Sequence, residues 1–450
     1  MPGPTPPLLR VAIVGGGPGG LSSAIALSKL ENVEVTIYEQ ARELREIGAG
    51  IQIGYNCWKV LELLGAEADV KGHVQETILQ RNGLNGEVLG ERTSTSVEPR
   101  YRGQRVRRTR LQAALIKKVP PGVIKLRKRL ASLQNIEGGG SRLVFEDGEE
   151  VVADLVIGGD GIRSIVRASV FPNHAIKFTG RTIWRVIIPK SLIVDIPEMI
   201  VSTAWWHGPA GHFYNCLVDD PVETPEDQQM WEIAVHNVVP AAMVKEKRFS
   251  WGIPATNERV ESHFTEYDPR VRDALSRVPQ GLWKEFSSFS GPRLEKVVAW
   301  DKVVLIGDAS HPLTGAFGSG AAFAMQDSWI LAQAIDYTRS FPQPLASALE
   351  IFDSVRSPYY LRMFVPNFLL LNVKVIPQLM CSLPSRYEHL DQMAKIAQDA
   401  KIKNPGQTFE ESLDVKVKAF GGGASASLSW IYELDIKEVW EEYVKTHKSD

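Results

Sequence analysis

The feature that most constrains the fold of this chain is a glycine-rich turn near its N-terminus. Apolar residues 11–14 precede three glycines in a G-x-G-x-x-G pattern, and a helix-like run follows at 21–30. At a strand end, Gly15 permits a tight turn, Gly17 lets a pyrophosphate approach the backbone, and Gly20 allows the helix to pack closely. The N–H groups and positive dipole end of the helix then face the phosphates. The stretch therefore predicts a dinucleotide site.

The segment after this helix supports the same interpretation. Residues 34–39 read as a second strand that ends on an acid, Glu39. An acid about 20 residues after the glycine turn accepts hydrogen bonds from the adenosine ribose hydroxyls in such folds. An ordinary strand–helix–strand unit with a glycine turn would leave Glu39 without a role, so we favour the dinucleotide interpretation.

Composition excludes several classes of protein. The chain is 44% hydrophobic and 23% charged, with a formal net charge of −2 over 450 residues. This balance is typical of a globular protein and argues against nucleic acid as a partner. Cys57, Cys216 and Cys381 lack metal-ligand spacing, so we predict no metal site and a reducing compartment. Residues 1–9 read as a flexible leader, and no apolar run is long enough to span a membrane. These features predict a cytoplasmic protein.

Two later strand ends also carry an acid beside glycine. An apolar run at 155–157 leads into a glycine turn that holds Asp160, which can cap the following helix and can contact a ligand as well. A second apolar run ends at Asp308, and the helix that begins near Gly318 and Gly320 would direct its N–H groups at a developing anion. The sequence thus predicts three ligand-binding turns at the ends of strands.

The middle of the chain has a different amino-acid composition. Residues 175–290 are rich in aromatic and β-branched residues and predict a mostly antiparallel sheet. Trp205, Trp206 and Tyr214 would offer an aromatic surface to a planar substrate. We expect helical segments after this sheet, at about 270–277 and 280–289.

Six arginines lie between positions 100 and 110. Most are read as a solvated basic face. The helix-like segment 111–118 follows directly, so one of these arginines is also a candidate to bind a diphosphate or a nicotinamide phosphate.

The three turns, in this order and spacing, resemble the group A flavoprotein monooxygenases, the aromatic hydroxylases of the para-hydroxybenzoate hydroxylase fold. The resemblance covers about residues 10–360 and is most similar to fungal salicylate hydroxylase-like enzymes. It implies non-covalent FAD as cofactor and NADH or NADPH as co-substrate. The cofactor-binding residues it implies are Gly15, Gly17, Gly20, Glu39, Ala49, Gly50, Arg108, Asp160, Asp308, Gly318 and Gly320.

The resemblance also implies the architecture. We expect an α/β protein with a Rossmann-like FAD-binding domain formed by 10–174 and 291–365. A mainly antiparallel β-sheet substrate domain at 175–290 would be inserted in it, and 366–450 would form a C-terminal helical region. The expected partners are a small aromatic substrate and O2, with the chain acting as a monomer or homodimer.

The function that the resemblance implies is hydroxylation of a phenolic or other electron-rich ring through a flavin C4a-hydroperoxide, with salicylate-type decarboxylation as one form. His207 and His212 are candidate bases, Arg185 a partner for a substrate carboxylate or phenolate, and Tyr214 a fourth candidate. The alternatives are a monooxygenase of an indole or polyketide, a flavin-dependent oxidase or reductase, and a non-catalytic FAD-binding protein.

Overall fold

The computed structural model describes residues 8–44, 49–93, 98–238, 251–312, 318–364, 409, 413 and 431–447. The strands, in chain order, are β1 (Leu9–Val14), β2 (Val33–Tyr38), β3 (Gly50–Ile53), β4 (His73–Val74), β5 (Thr77–Asn82), β6 (Val88–Thr93), β7 (Gln104–Arg107), β8 (Ile124–Lys125), β9 (Leu130–Asn135), β10 (Ser141–Phe145), β11 (Glu150–Ala153), β12 (Leu155–Gly158), β13 (Lys177–Pro189), β14 (Thr203–His207), β15 (Gly211–Leu217), β16 (Met230–Val238), β17 (Trp251–Pro254), β18 (Lys284–Ser290), β19 (Val298–Ala299) and β20 (Val303–Leu305). The helices are α1 (Pro18–Leu27), α2 (Tyr55–Leu64), α3 (Arg108–Ile116), α4 (Ile165–Val170), α5 (Asn257–Glu261), α6 (Pro269–Ser276), α7 (Gly320–Tyr337), α8 (Pro344–Phe364) and α9 (Ile436–Thr446).

A six-stranded sheet with the order β19-β20-β12-β1-β2-β8 contains the predicted strand–turn–helix–strand unit. All of its pairs are parallel except β19 with β20. Apolar runs such as 155–157 and 303–305 are buried because helices cover the sheet. Helix α1 packs on α7, where the hydroxyls of Ser23 and Ser328 lie 2.9 Å apart. The predicted Rossmann-like fold class is confirmed.

The second large sheet has eight strands in the order β17-β18-β13-β16-β15-β14-β5-β6. Every pair is antiparallel except β14 with β5. One face is apolar and buries Trp184, Trp206 and Trp231 in a core to which α5 and α6 also contribute. The predicted boundaries assign residues 77–93 to the cofactor domain, yet β5 and β6 pair in this sheet. The domain division itself stays a prediction.

Two small antiparallel sheets complete the strands. Their orders are β11-β10-β9 and β3-β7-β4. The second contacts the eight-stranded sheet, because β3 begins at Gly50, whose N–H donates to Glu232 of β16. This contact brings the start of β3 onto one face of the eight-stranded sheet.

The predicted helix at 280–289 is wrong. Residues 284–290 form β18, which pairs with β13 and β17. Gly281 adopts a φ of +81°, which ends the turn before the strand. Glu285, Ser287 and Phe289 are buried between neighbouring strands, and this pairing overrides the local helical propensity.

The C-terminal segment that is described docks on helices α2 and α7. Ile436 and Trp440, one helical turn apart, are buried, and α9 contacts α2 and α7. Asp435 caps α9 and pairs with Lys59 of α2 at 3.0 Å. Residues 436–446 of the predicted C-terminal helical region thus form a helix that packs on the rest of the chain. Residues 366–408 lie outside the described residues, as does most of 409–430. Within the described parts of the chain, no helix is long and apolar enough to cross a membrane.

Candidate functional site

The carboxyl ends of β1, β2, β12 and β20 lie side by side at one edge of the six-stranded sheet. They carry Gly15, Glu39, Asp160 and Asp308 respectively. Ligands of open parallel sheets bind outside the carboxyl ends of the strands. The fold therefore brings three turns that are far apart in sequence to one edge, as expected.

The glycine turn has the geometry that its sequence predicts. Gly15 adopts a φ of +104°, and a Cβ there would lie 2.5 Å from the carbonyl oxygen of Gly159. A Cβ at Gly20 would fall on the carbonyl oxygen of Gly15, so the helix could not pack as it does. A Cβ at Gly17 would meet no atom within 4 Å. The backbone at Gly17 is thus open to a ligand at the start of α1.

Glu39 lies beside this opening. Its Oε2 accepts a hydrogen bond from the Gly16 N–H at 2.6 Å, and its Oε1 accepts one from Ala41 at 2.8 Å. A carboxylate can accept about four hydrogen bonds, so two positions remain for ribose hydroxyls.

Asp160 performs the predicted capping role. Its Oδ2 accepts hydrogen bonds from the N–H groups of Ile165 at 2.7 Å and Val166 at 3.1 Å, at the start of α4. Its Oδ1 is buried and has no partner among the described residues. Burial raises the pKa of Asp160, against the effect of its hydrogen bonds. The open oxygen leaves room for the ligand role as well.

The turn at Gly307 and Asp308 is held in place by a buried ion pair between α7 and α8. The Gly307 N–H donates to Asp327 at 2.9 Å, and Asp327 in turn pairs with Arg356 at 2.7 Å. Asp327 and Arg356 are both fully buried. Burial raises the pKa of Asp308, and the charges of His311 and Arg108 oppose this rise. The Asp308 carboxylate accepts no hydrogen bond from the described residues, so it can accept hydroxyl groups of a ligand.

Three further predicted positions lie close to this edge. Arg108 begins α3, and its N–H donates to the carbonyl of Ala49 at 2.9 Å. Gly320 is the first residue of α7, and Gly318 precedes it with a φ of +74°. The predicted helix start is confirmed, whereas residues 313–317 and Gly48 lie outside the described residues.

These residues fit FAD. The open backbone at Gly17 suits a pyrophosphate, and Glu39 has free acceptor positions for an adenosine ribose. Oδ1 of Asp160 has no partner among the described residues. That oxygen and the Asp308 carboxylate can therefore accept hydrogen bonds from hydroxyl groups of the cofactor. Arg108 supplies a positive charge near Asp308.

The eight-stranded sheet carries buried charge on the face opposite its apolar core. We call this the polar face. Glu232 is fully buried and accepts hydrogen bonds from Arg105 Nε at 2.7 Å, from Arg185 Nε at 3.2 Å and from the Gly50 N–H at 2.8 Å. Burial alone would raise the pKa of Glu232, but the two arginines lower it to about 2. A Cβ on Gly50 would fall on the carboxylate, so only glycine fits between Glu232 and Arg105.

Arg185 is held by this cluster with one end open. Its Nε and Nη2 bind Glu232, and Nη2 also donates to the Gly50 carbonyl. Its Nη1 makes no hydrogen bond with the described residues, and 19% of the side chain is exposed. Arg185 is therefore positioned to pair with an anion.

The two predicted histidines lie opposite each other on β14 and β15. Their Nδ1 atoms are 3.0 Å apart, and His207 Nε2 lies 2.7 Å from Gln80 Oε1. His207 is fully buried, and His212 is nearly so. The structure thus brings the two candidates together as a hydrogen-bonded pair, in which His207 is the more deeply buried residue.

Tyr214 lies one repeat along the same face. Its hydroxyl accepts a hydrogen bond from Gln75 Nε2 at 3.0 Å, and the Arg105 guanidinium lies 5.1 Å from its ring centroid. Burial raises the pKa of Tyr214 far above its usual range, so the hydroxyl stays protonated. Its ring lies 4.6 Å from that of Trp205, which forms the predicted aromatic surface with it.

The prediction that Trp206 shares this surface is wrong. Side chains of a strand alternate between faces, so the neighbour of Trp205 points into the apolar core. Trp206 is 1% exposed, and its indole N–H donates to Asn215 at 2.9 Å.

The arginine run is less solvated than predicted. Arg100 is 63% exposed, as expected, but Arg105 is only 12% exposed because it pairs with Glu232. Arg107 pairs with the buried Asp219, with Nε and Oδ1 2.6 Å apart. Both acids are more than 100 residues away in sequence, which is why local charge patterning could not reveal them.

Sequence reasoning missed two residues of the polar face. Glu232 and His236 alternate along β16 with Trp231, Ile233 and Val235, which all point into the apolar core. An acid and a histidine at period-two spacing in an otherwise apolar strand were the available signal.

The comparisons with known proteins agree with this geometry. The FAD binding domain family matches residues 9–338. A 6-methylsalicylate 1-monooxygenase of Aspergillus terreus is 31% identical over 349 residues, which cover 72% of this chain and 74% of that protein. A 3-hydroxybenzoate 6-hydroxylase of Klebsiella oxytoca is 28% identical, covering 78% of this chain and 85% of that protein.

A solved structure of a salicylate hydroxylase substrate complex shows the same fold. Its TM-score is 0.71 at 19% identity, over 98% of this chain and 99% of that one. Together with the carboxylates at the strand ends, these matches define a flavin-dependent oxidoreductase. The chain belongs to the FAD binding domain family. It is an FAD-dependent monooxygenase, and the predicted resemblance, fold class and cofactor are confirmed.

Proposed function

We propose that this monooxygenase hydroxylates a small aromatic substrate that carries both a hydroxyl and a carboxylate group. The observation that supports the proposal is the geometry of Arg185. Glu232 fixes this side chain in place, while its Nη1 makes no hydrogen bond with the described residues and can bind an anion on the polar face. The relatives act on 6-methylsalicylate and 3-hydroxybenzoate by name, which are substrates of this kind.

When bound, FAD would supply the redox chemistry of this class, namely oxidation of NADH or NADPH and activation of O2. The residues proposed to hold it are those at the strand ends, namely Gly15, Gly17, Gly20, Glu39, Asp160 and Asp308, with Ala49, Gly50, Arg108, Gly318 and Gly320. The N-terminus of α7 would stabilise negative charge on the reduced cofactor through its N–H groups and dipole.

The chain's own side chains bind and orient the substrate. Arg185 would form a charge-assisted hydrogen bond with the carboxylate, a contact that stabilises binding by about 1.5–3 kcal/mol. Trp205 and Tyr214 would pack on the ring and exclude water.

The base proposed for the phenolic proton is His212, and His207 is its hydrogen-bond partner. If His207 Nε2 donates to Gln80 Oε1, the bare Nδ1 of a neutral His207 accepts the Nδ1–H of His212. This arrangement fixes the tautomer of His212 and stabilises the imidazolium that forms when its Nε2 takes a proton.

The experiment is turnover of the FAD-loaded enzyme with salicylate, 6-methylsalicylate, 3-hydroxybenzoate, indole and benzoate. We expect a hydroxybenzoate to stimulate NAD(P)H consumption and to yield a product that has gained one oxygen atom. The product mass also reveals whether CO2 is lost. NAD(P)H consumption without oxygen insertion would instead support an oxidase or reductase. An oxygenated indole would support the alternative of a monooxygenase that acts on an indole or polyketide. The cytoplasmic location and the monomer or homodimer state stay predictions.

A further inference from the structure

A third histidine lies in register with the predicted pair. His236 of β16 is the cross-strand partner of His212 on β15, and His212 is the partner of His207 on β14. The rings of His236 and His212 are 5.9 Å apart between centroids. Three neighbouring strands thus form a row of histidines on the polar face. The arrangement is not that of a metal site, since no suitable group of three ligands occurs among the described residues.

This row lies next to the anchored arginine. Arg185 pairs across strands with Ala234, which is two residues before His236 on the same face. Arg185 and His236 are therefore diagonal neighbours on adjacent strands, about 7–8 Å apart, a distance that a substituted aromatic ring can bridge. Trp205 lies near His236, with a distance of 6.4 Å between the ring centroids.

His236 has unused hydrogen-bonding capacity. Its Nδ1 is buried without a partner among the described residues. A buried polar atom without a partner costs about 1–3 kcal/mol and calls for a physical reason. Burial and the charges of Arg181 and Arg185 lower the pKa of His236 to about 3, so the ring is neutral and can accept as well as donate a hydrogen bond.

We propose that His236 is a specificity-determining residue that hydrogen-bonds the ring hydroxyl of the substrate whose carboxylate pairs with Arg185. The inference rests on the proposed function and deepens it, because it assigns the hydroxyl and the carboxylate to separate side chains. The enzyme then selects hydroxybenzoates over benzoates by a contact on β16 in addition to the base on β15.

The test compares three ligands in two proteins without turnover. Salicylate, 3-hydroxybenzoate and benzoate are titrated into FAD-loaded wild type and His236→Phe, and binding is followed by the flavin absorbance. We expect the preference for the better-bound hydroxybenzoate over benzoate to fall about five- to tenfold in the variant, the value of one hydrogen bond. Benzoate affinity should change little.

The matched control is His174→Phe. His174 also has a buried Nδ1 without a partner among the described residues, but it lies outside the eight-stranded sheet and contacts the Pro292 carbonyl. Its variant should keep the wild-type preference. If His236→Phe does not retain FAD, His236→Asn replaces it, and the amide should restore part of the preference.

The outcomes separate the two claims. An unchanged preference in the His236 variant, or equal weakening of all three ligands, overturns the assignment of His236 even if the wild type hydroxylates hydroxybenzoates. Failure of the wild type to bind or hydroxylate any hydroxybenzoate overturns the proposed function instead.

Discussion

The parallel strands β12 and β20 consist only of apolar residues and glycine, and their acids, Asp160 and Asp308, come after the strands end. The antiparallel strands β13 and β16 carry Arg185, Glu232 and His236 in their interiors, between apolar neighbours. Strands that helices cover on both faces are cut off from water, and the fully buried strands β12 and β20 accordingly carry no ionisable side chain. The eight-stranded sheet has one apolar face, so its other face is available for chemistry.

This difference separates the two tasks of the enzyme. The cofactor edge uses backbone N–H groups, glycines and strand-end acids, all of which depend on local chain geometry. The substrate face uses side chains from several strands, which depend on cross-strand register. Each region also contains buried ion pairing: Asp327 pairs with Arg356 in the first, and Glu232 pairs with two arginines in the second. These pairs offer a way to perturb each region by itself.

We expect the largest effect from Asp327→Asn. The variant leaves Arg356 charged and fully buried without a compensating charge, and breaking such a pair costs about 3–5 kcal/mol. It also weakens the contact that holds the Gly307 N–H beside Asp308, so FAD affinity should fall. Urea unfolding and reconstitution with FAD measure the two effects. A variant with wild-type stability and FAD affinity would show that the pair does not support the turn.

A slightly smaller effect is expected from Glu232→Gln. Because the pKa of Glu232 is lower in the folded chain than its ordinary value of 4.5, its contribution is present above pH 4.5 and is lost as the pH falls toward 2. We expect a loss of about 3 kcal/mol at pH 7 that shrinks in acid, with FAD affinity maintained.

The control for this variant is Glu226→Gln. Glu226 pairs with Lys190 at 3.0 Å, but its side chain is 82% exposed, so its removal should cost less than about 1 kcal/mol. Parallel stability–pH curves for wild type and Glu232→Gln would contradict the assigned pKa shift.

The smallest change in stability is expected at the glycine turn, where two substitutions should differ. Gly15→Ala places a side chain at a φ of +104° against Gly159, a conformation that costs about 1–2 kcal/mol. Gly17→Ala meets open space and should leave the stability of the FAD-free chain within about 0.5 kcal/mol. It should nevertheless weaken FAD binding about tenfold or more, because the methyl group overlaps the phosphates. Equal FAD affinity of wild type and Gly17→Ala would place the pyrophosphate elsewhere.

The difference between local chain geometry and cross-strand register also explains which site residues could be predicted from the sequence. Gly15, Glu39 and Asp308 were predictable because strand, turn and acid are contiguous, and the meeting of their turns follows from the order of parallel strands. Glu232 and His236 were not predicted, since each is a single polar residue whose role depends on partners more than 40 residues away. The strand at 284–290 and the wrong face assigned to Trp206 have the same cause, which is that register between distant strands is not encoded locally.

The most direct test of the account is the affinity of FAD-loaded Arg185→Met for salicylate and for its neutral analogue salicylamide, with Arg142→Met as a surface control. If Arg185 holds the substrate carboxylate, salicylate binding should weaken about 10- to 100-fold, the value of a charge-assisted hydrogen bond, while salicylamide and FAD bind as in wild type. Equal changes for salicylate and salicylamide, or none for either, would contradict the claim that this sheet face binds the substrate through Arg185.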